Sequence, residues 1–420
     1  MRVVVVGSGL LGVAAAWFLR RAGAEVTVLE RREGAALETS FANAGMLTPS
    51  MADPWNAPGV FWKVLRWLGR EDSPMLLRPQ ALPSMLGWGL RFLANSTPER
   101  YLRNTARNAR LANYSLATLR RLRDELGLAY DQRTLGTLKV FRSHEAMRHM
   151  VELARFLEEH GVVSRVLDVD GVLEVEPTLA PVRARLVGGI HYPGDESGDA
   201  HLACRQVAEH AARAGVVFRF GVEVTGLVRR GRRLAAVQTT EGPVEADAFV
   251  LAAGSYSPLL ARRLGLDLPI RPVKGYSITV PCGDWKEELH LPVVDDDLHL
   301  AITPLGRRLR VAGTAEFTGW DTTVRPGRIA MLRRLVEELL PTFAPHLRSA
   351  EIAEWAGLRP MSCDGVPILG PTPVEGLFLC TGTGHLGWTL AWGAGRLVAD
   401  LVTGRTPHLD PADYALARFG

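Results

Sequence analysis

The first chemistry that the sequence offers is phosphate binding by three glycines near its start. Gly7, Gly9 and Gly12 have the G-x-G-x-x-G spacing and follow a run of valines. In this spacing the first glycine permits a tight turn, the second lets the backbone approach a pyrophosphate, and the third lets a helix pack closely on a strand. Leu10 and Leu11 then stand at a helix N-terminus, where backbone N–H groups attract anions. The spacing predicts a dinucleotide site.

An acidic residue supports the same prediction. Glu30 ends the next predicted strand, Glu25 to Leu29, where a carboxylate can accept hydrogen bonds from the adenosine ribose. With strand, helix and carboxylate in the expected places, a dinucleotide site is favoured over an unrelated glycine turn. The pattern alone does not separate FAD from NAD(P), because Arg31 and Arg32 could hold a 2′-phosphate.

These residues must be positioned by an α/β framework. A helix from Leu10 to Ala22 between two strands is a βαβ start, which implies a parallel sheet. A further apolar strand, Ala248 to Ala253, ends in Gly254. From Arg271 to Ala315 strands and turns alternate, which predicts an antiparallel sheet. The fold class predicted is therefore α/β, with a Rossmann-like dinucleotide domain and an α+β substrate or cap domain.

Capping residues and glycine turns place several further elements. Ser96 with Glu99 forms a predicted capping box for a long helix, and Ser143 is a predicted cap for a helix from Glu145 to His160. Other predicted elements are a strand from Thr134 to Arg142, a helix from His201 to Ala214, strands from Val216 to Phe220 and from Val222 to Val228, a helix from Arg328 to Leu340, and a strand, glycine-rich loop and helix from Leu377 to Val402.

Composition limits the remaining function classes. The 420 residues suit two or three domains, and 47% apolar with 22% charged residues is ordinary for a soluble protein. The net charge is +4, but acids and bases are intermixed, so a nucleic-acid partner is not favoured. Four scattered cysteines without a CxxC pair favour neither a metal site nor a disulfide framework. With a strand starting at Arg2 and no long apolar stretch, a cytoplasmic location is expected.

Several separated motifs together resemble one family. The stretch from Glu38 to Met46 resembles the small subunit of D-amino-acid dehydrogenases, in the superfamily of D-amino-acid oxidase and glycine oxidase. The resemblance continues along nearly the whole chain, through Gly136-Thr-Leu, Arg271-Pro-Val-Lys-Gly-Tyr-Ser-Ile-Thr-Val280, Val311-Ala-Gly-Thr-Ala-Glu316, Gly357-Leu-Arg-Pro-Met361 and Gly382-Thr-Gly-His-Leu-Gly-Trp-Thr389.

The resemblance implies bound FAD and a domain order. The FAD-binding domain would be assembled from residues 1–60, 196–270 and 351–420, and the substrate or cap domain from residues 61–195 and 271–350. Besides the N-terminal motif with Glu30 and Arg31, the implied FAD contacts are Ser40, Asn43, Gly45 and Met46 along the pyrophosphate and flavin, Val224 at the adenine, Ala252, Ala253 and Gly254 at the ADP half, and Gly384, His385, Leu386, Gly387, Trp388 and Thr389 at the flavin N1–C2=O edge.

The resemblance also implies how a substrate is held. Arg359 is the expected anchor for an amino-acid carboxylate, since its planar fork suits bidentate binding. Tyr276 could add a hydroxyl to that carboxylate or be a core tyrosine. Lys274 could touch the flavin or be solvated, and His385 could contact substrate, contact the flavin edge or be structural. No acid–base residue is required if hydride leaves Cα directly, because the flavin performs the chemistry.

The mode of FAD attachment and a tryptophan-rich stretch need separate consideration. Neither Cys363 nor Cys380 stands in a motif for covalent flavin, so FAD is expected to be noncovalent. Residues 55–93 hold four tryptophans, and the predicted helical face with Lys63, Arg66 and Arg70 is typical of an interfacial helix. Peripheral membrane contact through this stretch is one interpretation, and a core or dimer helix is the other.

The expected reaction is oxidative deamination of a D-amino acid, with hydride passing to flavin N5 and electrons then passing to a quinone-type acceptor. One alternative is an oxidase for glycine, sarcosine or D-proline that uses oxygen. An alternative of another class is a flavin-carrying electron-transfer or structural subunit. The preferred side chain and the oligomeric state stay open at this point.

Overall fold

A computed structural model of the chain describes residues 1–62, 73 and 75–420. The strands are β1 (Arg2–Val6), β2 (Glu25–Glu30), β3 (Met46–Leu47), β4 (Met75–Leu77), β5 (Thr137–Phe141), β6 (Arg165–Leu167), β7 (Gly188–Tyr192), β8 (Glu196–Ser197), β9 (Val217–Phe220), β10 (Val224–Arg230), β11 (Arg233–Thr239), β12 (Gly242–Glu245), β13 (Ala248–Leu251), β14 (Ile270–Pro281), β15 (Val293–Asp295), β16 (Leu300–Leu305), β17 (Arg308–Phe317), β18 (Ala353–Ser362), β19 (Ile368–Pro371) and β20 (Leu377–Thr381).

The α-helices are α1 (Leu10–Arg21), α2 (Leu82–Ala94), α3 (Pro98–Leu126), α4 (His144–Glu158), α5 (Val169–Val175), α6 (Ala200–Arg213), α7 (Ser257–Ala261), α8 (Pro326–Leu339), α9 (Ala344–Ser349) and α10 (Gly387–Val402). Among the residues that the structure describes, no helix is long and apolar enough to cross a membrane.

A six-stranded sheet carries the glycine motif. Its order is β19-β20-β13-β1-β2-β9. The strand β1 pairs in parallel with β2 and β13, and only the edge strand β19 runs antiparallel to its neighbour. The parallel sheet predicted from the βαβ start is confirmed. Its strands come from the three stretches predicted to form the FAD domain, although β18, which also lies within residues 351–420, belongs to the other sheet. The domain boundaries stay a prediction.

A nine-stranded sheet forms the second layer, in the order β18-β14-β17-β16-β15-β5-β7-β6, with β4 added to β17. The strands from β14 to β18 pair antiparallel, as the alternation of strands and turns predicts. Two parallel pairs, β15 with β5 and β17 with β4, make the sheet mixed. A separate hydrophobic core lies behind this sheet, against α8.

Small residues bring three helices close together beside the parallel sheet. A Cβ on Gly395 of α10 would lie 2.6 Å from the Cβ of Ala14 in α1, and one on Gly393 would lie 3.0 Å from Ser115 in α3. Neither position has space for a larger side chain. The close packing fixes α10 against α1, so that both helix N-termini reach the same cavity.

One predicted cap is confirmed and one is wrong. Ser143 accepts a hydrogen bond from the Ala146 amide, 3.4 Å away, as an N-cap does. At α3 the N-cap is Thr97 instead of Ser96. The residue before a proline is confined to extended conformations, so Pro98 makes its predecessor the last non-helical residue. Ser96 donates its hydroxyl to the preceding helix, at the carbonyl of Phe92.

Candidate functional site

One cavity of about 1330 Å³ runs from the glycine motif to the large sheet. It is larger than the ~300–1,000 Å³ typical of a pocket for one small ligand, so it can hold a dinucleotide together with a substrate. All predicted site residues except Gly12 line it: Gly7, Gly9, Leu10, Leu11, Glu30, Arg31, Ser40, Asn43, Gly45, Met46, Val224, Ala252, Ala253, Gly254, Tyr276, Arg359, Gly384, His385, Leu386, Gly387, Trp388 and Thr389.

The glycine motif adopts the geometry that its spacing predicts. Gly7 has φ +100°, which L side chains rarely adopt, and a Cβ there would lie 2.8 Å from the carbonyl oxygen of Ala252. Gly12 faces inward, where a Cβ would lie 1.9 Å from the carbonyl oxygen of Gly7. Gly12 is therefore a packing residue, which explains its absence from the cavity lining. The first-turn amides of α1 have no earlier helical carbonyl to bond, so they suit a phosphate.

The carboxylate of Glu30 is held in place at the end of β2. Its Oε2 accepts hydrogen bonds from the amide and hydroxyl of Ser8 at 2.8 and 2.9 Å, and its Oε1 accepts one from the Arg32 amide at 2.9 Å. A carboxylate has about four acceptor positions, so capacity remains for hydroxyl groups of a ribose. The geometry fits the predicted role.

The two arginines that could have bound a 2′-phosphate have partners within the protein. The side chains of Arg31 and Arg32 both ion-pair with Glu38 at 2.6 Å. Arg31 also lies over the ring of Tyr256, with 4.0 Å between the guanidinium carbon and the ring centroid. Both guanidinium groups already bond the same carboxylate, so a 2′-phosphate would have to compete with Glu38 for them, and this geometry does not favour a 2′-phosphorylated nucleotide.

Side chains of the large sheet hold the loop that contains Ser40, Asn43 and Gly45. The donors are Ser277 to the carbonyl of Ala42 at 2.6 Å, Thr303 to that of Ala44 at 2.7 Å, and Arg310 to that of Asn43 at 2.8 Å. Ser40 accepts a hydrogen bond from the Leu10 amide at 3.2 Å. The loop therefore connects the N-terminus of α1 with the large sheet, as a cofactor that spans both layers requires.

A second helix N-terminus reaches the cavity from the C-terminal part of the chain. Gly382 and Gly384 have φ +79° and +57°, and the 3-10 turn Gly384–Leu386 leads directly into α10. Thr389 in its first turn accepts a hydrogen bond from the Thr48 amide at 3.0 Å. A helix N-terminus stabilises negative charge that develops on a ligand, which matches the predicted contact with a flavin edge.

Arg359 presents an unpaired positive charge to the cavity. It lies on β18 deep inside the protein, where its Nη1 donates to the carbonyl of Thr314 at 3.3 Å. Burial lowers the pKa of its guanidinium to about 10, so the group is protonated at neutral pH. No acidic side chain among the described residues forms an ion pair with it. A buried cation without a partner is costly, so this wall of the cavity favours an anionic ligand.

A glycine makes the position of Arg359 possible. Gly275 lies on the neighbouring strand β14, and a Cβ there would lie 2.2 Å from Nη1 of Arg359. In the antiparallel pairing, Arg359 stands opposite Val273 and therefore shares a face of the sheet with Gly275. The guanidinium lies directly on the backbone of β14.

Tyr276 does not lie beside Arg359, where it could have added a hydroxyl to the same carboxylate. Strand alternation directs Tyr276 to the opposite face from Gly275, where its hydroxyl donates to the buried carboxylate of Glu316. Burial and this neighbour raise the pKa of the Tyr276 hydroxyl. Although the residue borders the cavity, the geometry fits a core tyrosine and not a ligand of a carboxylate held by Arg359.

The expectation of a solvated Lys274 is wrong. Lys274 is fully buried on the same face as Tyr276, and its Nζ lies 3.5 Å from Glu316 and 3.1 Å from Asp321. Protein covers the Lys274 side chain completely, so it has no path to water. Lys274 does not line the cavity and belongs to an ion network behind it.

His385 lines the cavity, and one aromatic residue contacts both its ring and the guanidinium of Arg359. Trp55 stacks on the imidazole, with 5.4 Å between centroids, and lies 5.5 Å from the guanidinium carbon of Arg359. The Nε2 of His385 lies 3.2 Å from the carbonyl oxygen of Met51. Burial lowers the pKa of the imidazole to about 4, so the ring is neutral at neutral pH.

Sequence reasoning missed Trp55 as a site residue and placed it with the tryptophan-rich stretch. The structure separates these tryptophans. Trp62 is exposed, while Trp88 is buried and its Nε1 donates to the carbonyl of Met361 at 3.2 Å. Outside the described residues lie Trp67, Lys63, Arg66 and Arg70.

Two polar pairs also line the cavity and were not predicted. Tyr101 donates its hydroxyl to Asp53 at 3.2 Å, and Lys139 forms an ion pair with Asp296 at 3.4 Å. The four residues come from two loops, one strand and one helix. No local pattern could have shown that they meet.

Comparison with known proteins identifies the family. Residues 2–401 match the family model described as FAD dependent oxidoreductase. The chain belongs to this family. It is 49% identical over 420 residues to the D-amino acid dehydrogenase of Methylobacterium nodulans, covering all of this chain and 99% of that one. It is 47% identical to the D-amino acid dehydrogenase of Granulibacter bethesdensis, with both chains fully covered. Among solved structures, glycine oxidase from Geobacillus kaustophilus has a TM-score of 0.77 and 26% identity, with 99% of each chain covered.

This FAD-dependent oxidoreductase has a cavity whose chemistry fits its cofactor. Glu30 offers free acceptor positions for a ribose, and the N-terminus of α1 offers amides for a pyrophosphate. The N-terminus of α10 offers a partial positive charge to the redox-active ring. The predicted family, fold class and FAD cofactor are confirmed.

Proposed function

We propose that this protein oxidises D-amino acids to 2-oxo acids and ammonia with noncovalently bound FAD. The curated relatives named above supply the substrate class, at nearly half identity over the whole chain. The observation that carries the proposal is the buried, unpaired guanidinium of Arg359 in the same cavity as the FAD-binding residues. An amino-acid carboxylate is the anion that would neutralise it.

The residues then have distinct roles. Arg359 binds the carboxylate through two parallel hydrogen bonds and fixes the orientation of Cα. The glycine motif, Glu30 and the residues from Ala252 to Gly254 hold the ADP half, with Val224 at the adenine. The loop from Ser40 to Met46 and the first turn of α10 hold the flavin.

The chemistry balances without an acid–base residue at Cα. Bound FAD would supply the acceptor for the hydride that leaves Cα, and the amine would lose one proton as the carbon–nitrogen bond becomes that of an imine. Water then hydrolyses the imino acid to a 2-oxo acid and ammonia. The chain positions the substrate and excludes solvent.

Buried thiols support noncovalent attachment. Cys380 lines the cavity, and burial raises the pKa of its thiol and that of the Cys363 thiol, the latter to about 12. A thiol that stays protonated is a weak nucleophile. Acid precipitation of the purified protein should release all of its flavin into the supernatant, and flavin that stays with the precipitate would contradict this part.

We further propose that a quinone-type acceptor reoxidises the flavin at a membrane surface, and that within the stretch 55–93 the exposed face of helix α2 meets the lipid. Helix α2 supports this proposal, because Leu82, Leu86, Leu90 and Leu93 are exposed along one face while Met85 and Trp88 are buried on the other. Leu86 is 66% and Leu90 72% exposed. Exposed Arg100 and Arg103 at the start of α3 would favour anionic lipid.

Vesicle co-sedimentation tests the membrane contact. We expect the protein to sediment with anionic vesicles, and Leu86→Glu with Leu90→Glu to weaken binding at least about 100-fold, since burying a leucine contributes ~1.5–3 kcal/mol. Leu135→Glu is the matched control, because Leu135 is 57% exposed in the loop before β5. Equal binding by both variants would refute the contact. A change in oligomeric state instead would assign α2 to an interface between copies.

Anaerobic absorbance titration tests the reaction itself. Purified protein would be titrated with D- and L-amino acids, glycine and sarcosine. We expect D-amino acids to bleach the flavin. Bleaching only by glycine or sarcosine would favour an oxidase like the solved structural neighbour. Flavin that no amino acid bleaches would favour an electron-transfer subunit and overturn the proposal.

A further inference from the structure

A hydrogen-bond acceptor on the cavity wall is left unused by the roles assigned above. The Nε2 of His385 faces the carbonyl oxygen of Met51 at 3.2 Å. A carbonyl oxygen can only accept, so in the neutral ring Nε2 carries the hydrogen and Nδ1 keeps its lone pair. Across the described residues, nothing donates a hydrogen bond to Nδ1. The imidazole thus offers the cavity one acceptor.

A shared neighbour limits how far this acceptor lies from Arg359. Both side chains contact the same indole, since Trp55 stacks on His385 at 5.4 Å and lies 5.5 Å from the guanidinium carbon of Arg359. At most about 11 Å therefore separates the guanidinium carbon from the imidazole centre. An α-amino acid with a hydrogen bond of ~2.9 Å at each end spans nearly all of that limit, so the two groups are close enough for one ligand to contact both.

The surroundings keep the ring an acceptor. Burial lowers the pKa of the imidazole, and the nearby cations Arg359 and Lys139 act in the same direction, so that together they outweigh Asp53, which raises it. A protonated ring would lose its lone pair and repel both Arg359 and an ammonium group. A neutral ring can accept from the amine of a substrate whose carboxylate is held by Arg359.

We propose that His385 is the amine-binding residue of the site: its Nδ1 accepts a hydrogen bond from the substrate α-amine, while Trp55 positions the imidazole beside Arg359. This inference rests on the proposed function, since it requires an amino acid in the cavity. When the carboxylate and the amine on Cα are both held, the two enantiomers differ only in which of the two remaining positions the hydrogen and the side chain occupy. Their placement relative to the flavin then determines which enantiomer presents its Cα–H for transfer.

A pair of unreactive ligands isolates this hydrogen bond. 2-Aminoisobutyrate has a carboxylate and an amine but no Cα–H, and isobutyrate lacks the amine. Neither is oxidised to an imine, so each dissociation constant can be read from the flavin absorbance of the holoenzyme without turnover. We expect His385→Leu to weaken 2-aminoisobutyrate about 10-fold, because a hydrogen bond contributes ~1–2 kcal/mol, and to leave isobutyrate within about twofold.

Matched variants distinguish amine binding from a structural role. His385→Asn retains an acceptor and should recover part of the affinity for 2-aminoisobutyrate. His201 is half-buried, packs on Phe41 and does not line the cavity, so His201→Leu should change neither affinity. Arg359→Gln should weaken both ligands, because it removes the carboxylate contact.

The outcomes separate this inference from the proposed function. If His385→Leu weakens both ligands equally, or weakens neither, the inference is wrong even where D-amino acids reduce the wild-type flavin. If wild-type flavin is reduced by no D-amino acid, the proposed function is wrong. In that case a selective loss of 2-aminoisobutyrate in His385→Leu would still support amine binding at this residue.

Discussion

Replacing Gly275 with alanine should move the guanidinium of Arg359 without changing any charge. The new Cβ would lie 2.2 Å from Nη1, whereas ordinary contacts begin near ~3.4 Å. The guanidinium must therefore shift by roughly 1 Å. Because the obstructing atoms are the end of a long side chain, that side chain can yield while the strand stays in place. We expect alanine at this position to change the stability of the protein little and to lower its activity strongly.

The magnitude follows from the alignment that bidentate binding requires. A misplacement of about 1 Å at a positioning group can lower the rate about 100-fold. We therefore expect kcat/KM for D-alanine to fall about 100-fold in Gly275→Ala, measured by anaerobic flavin reduction or with an artificial dye acceptor. The visible flavin spectrum and the FAD content should stay those of the wild type, since Gly275 meets Arg359 and not the glycine motif.

A matched control is available on helix α2. Nothing lies within 4 Å of a Cβ built on Gly87, so Gly87→Ala should leave kcat/KM and thermal stability close to wild type. A Gly275→Ala variant with full FAD and kcat/KM within about threefold of wild type would refute the assignment of Arg359 as carboxylate anchor. Loss of FAD from that variant would instead show that the strand itself had moved.

Three further changes test other parts of the structure. Glu30→Gln should weaken FAD retention about 10-fold, measured by flavin released on dilution, because the amide keeps one acceptor oxygen but loses the charge that strengthens its hydrogen bonds. Lys274→Met should lower the midpoint of thermal unfolding while kcat/KM stays unchanged, since Lys274 is buried in an ion network outside the cavity; an altered flavin spectrum would contradict that placement. Burial raises the pKa of the Asp195 carboxyl to about 6, above its value in the unfolded chain. Between about pH 4 and pH 6, the folded state therefore binds a proton that the unfolded state has lost. Asp195 thus makes the protein less stable as the pH rises through this range. In urea unfolding across that range, Asp195→Asn should remove this part of the decline, and an identical pH dependence in both proteins would argue against it.

The parts of the fold that depend on local chemistry could be predicted from the sequence. Gly7 and Gly12 are fixed by contacts between neighbouring turns, so their spacing alone specifies the turn, the helix and the sheet type. Ser143 caps its helix by a contact three residues away. At α3 the capping-box pattern predicts Ser96 as the N-cap, but the constraint that Pro98 places on Thr97 outweighs that pattern.

The face of a strand could not be predicted where both faces are covered. In β14 nearly every residue is buried, so no alternation of polar and apolar side chains shows which face meets the cavity. The sequence therefore allows Tyr276 to be placed at the carboxylate, whereas the pairing with β18 shows that Gly275 shares the face of Arg359 and Tyr276 does not. Trp55 gave no signal either, because its partners His385 and Arg359 are brought to it only by tertiary packing.

The alternation of β14 also explains why the charge of Arg359 is available to a ligand. On the far face, Lys274 is neutralised by Glu316 and Asp321, and Arg325 joins the same two carboxylates. On the cavity face, the described residues provide no acid for Arg359. One strand thus separates a network in which Glu316 and Asp321 pair with Lys274, Arg325 and Arg78 from a cation that no described acid pairs. If an acid of the far-face network could reach Arg359, it would neutralise the guanidinium and compete with a substrate carboxylate. The sheet between them prevents that competition, so the cost of burying the guanidinium is recovered only when an anion enters the cavity.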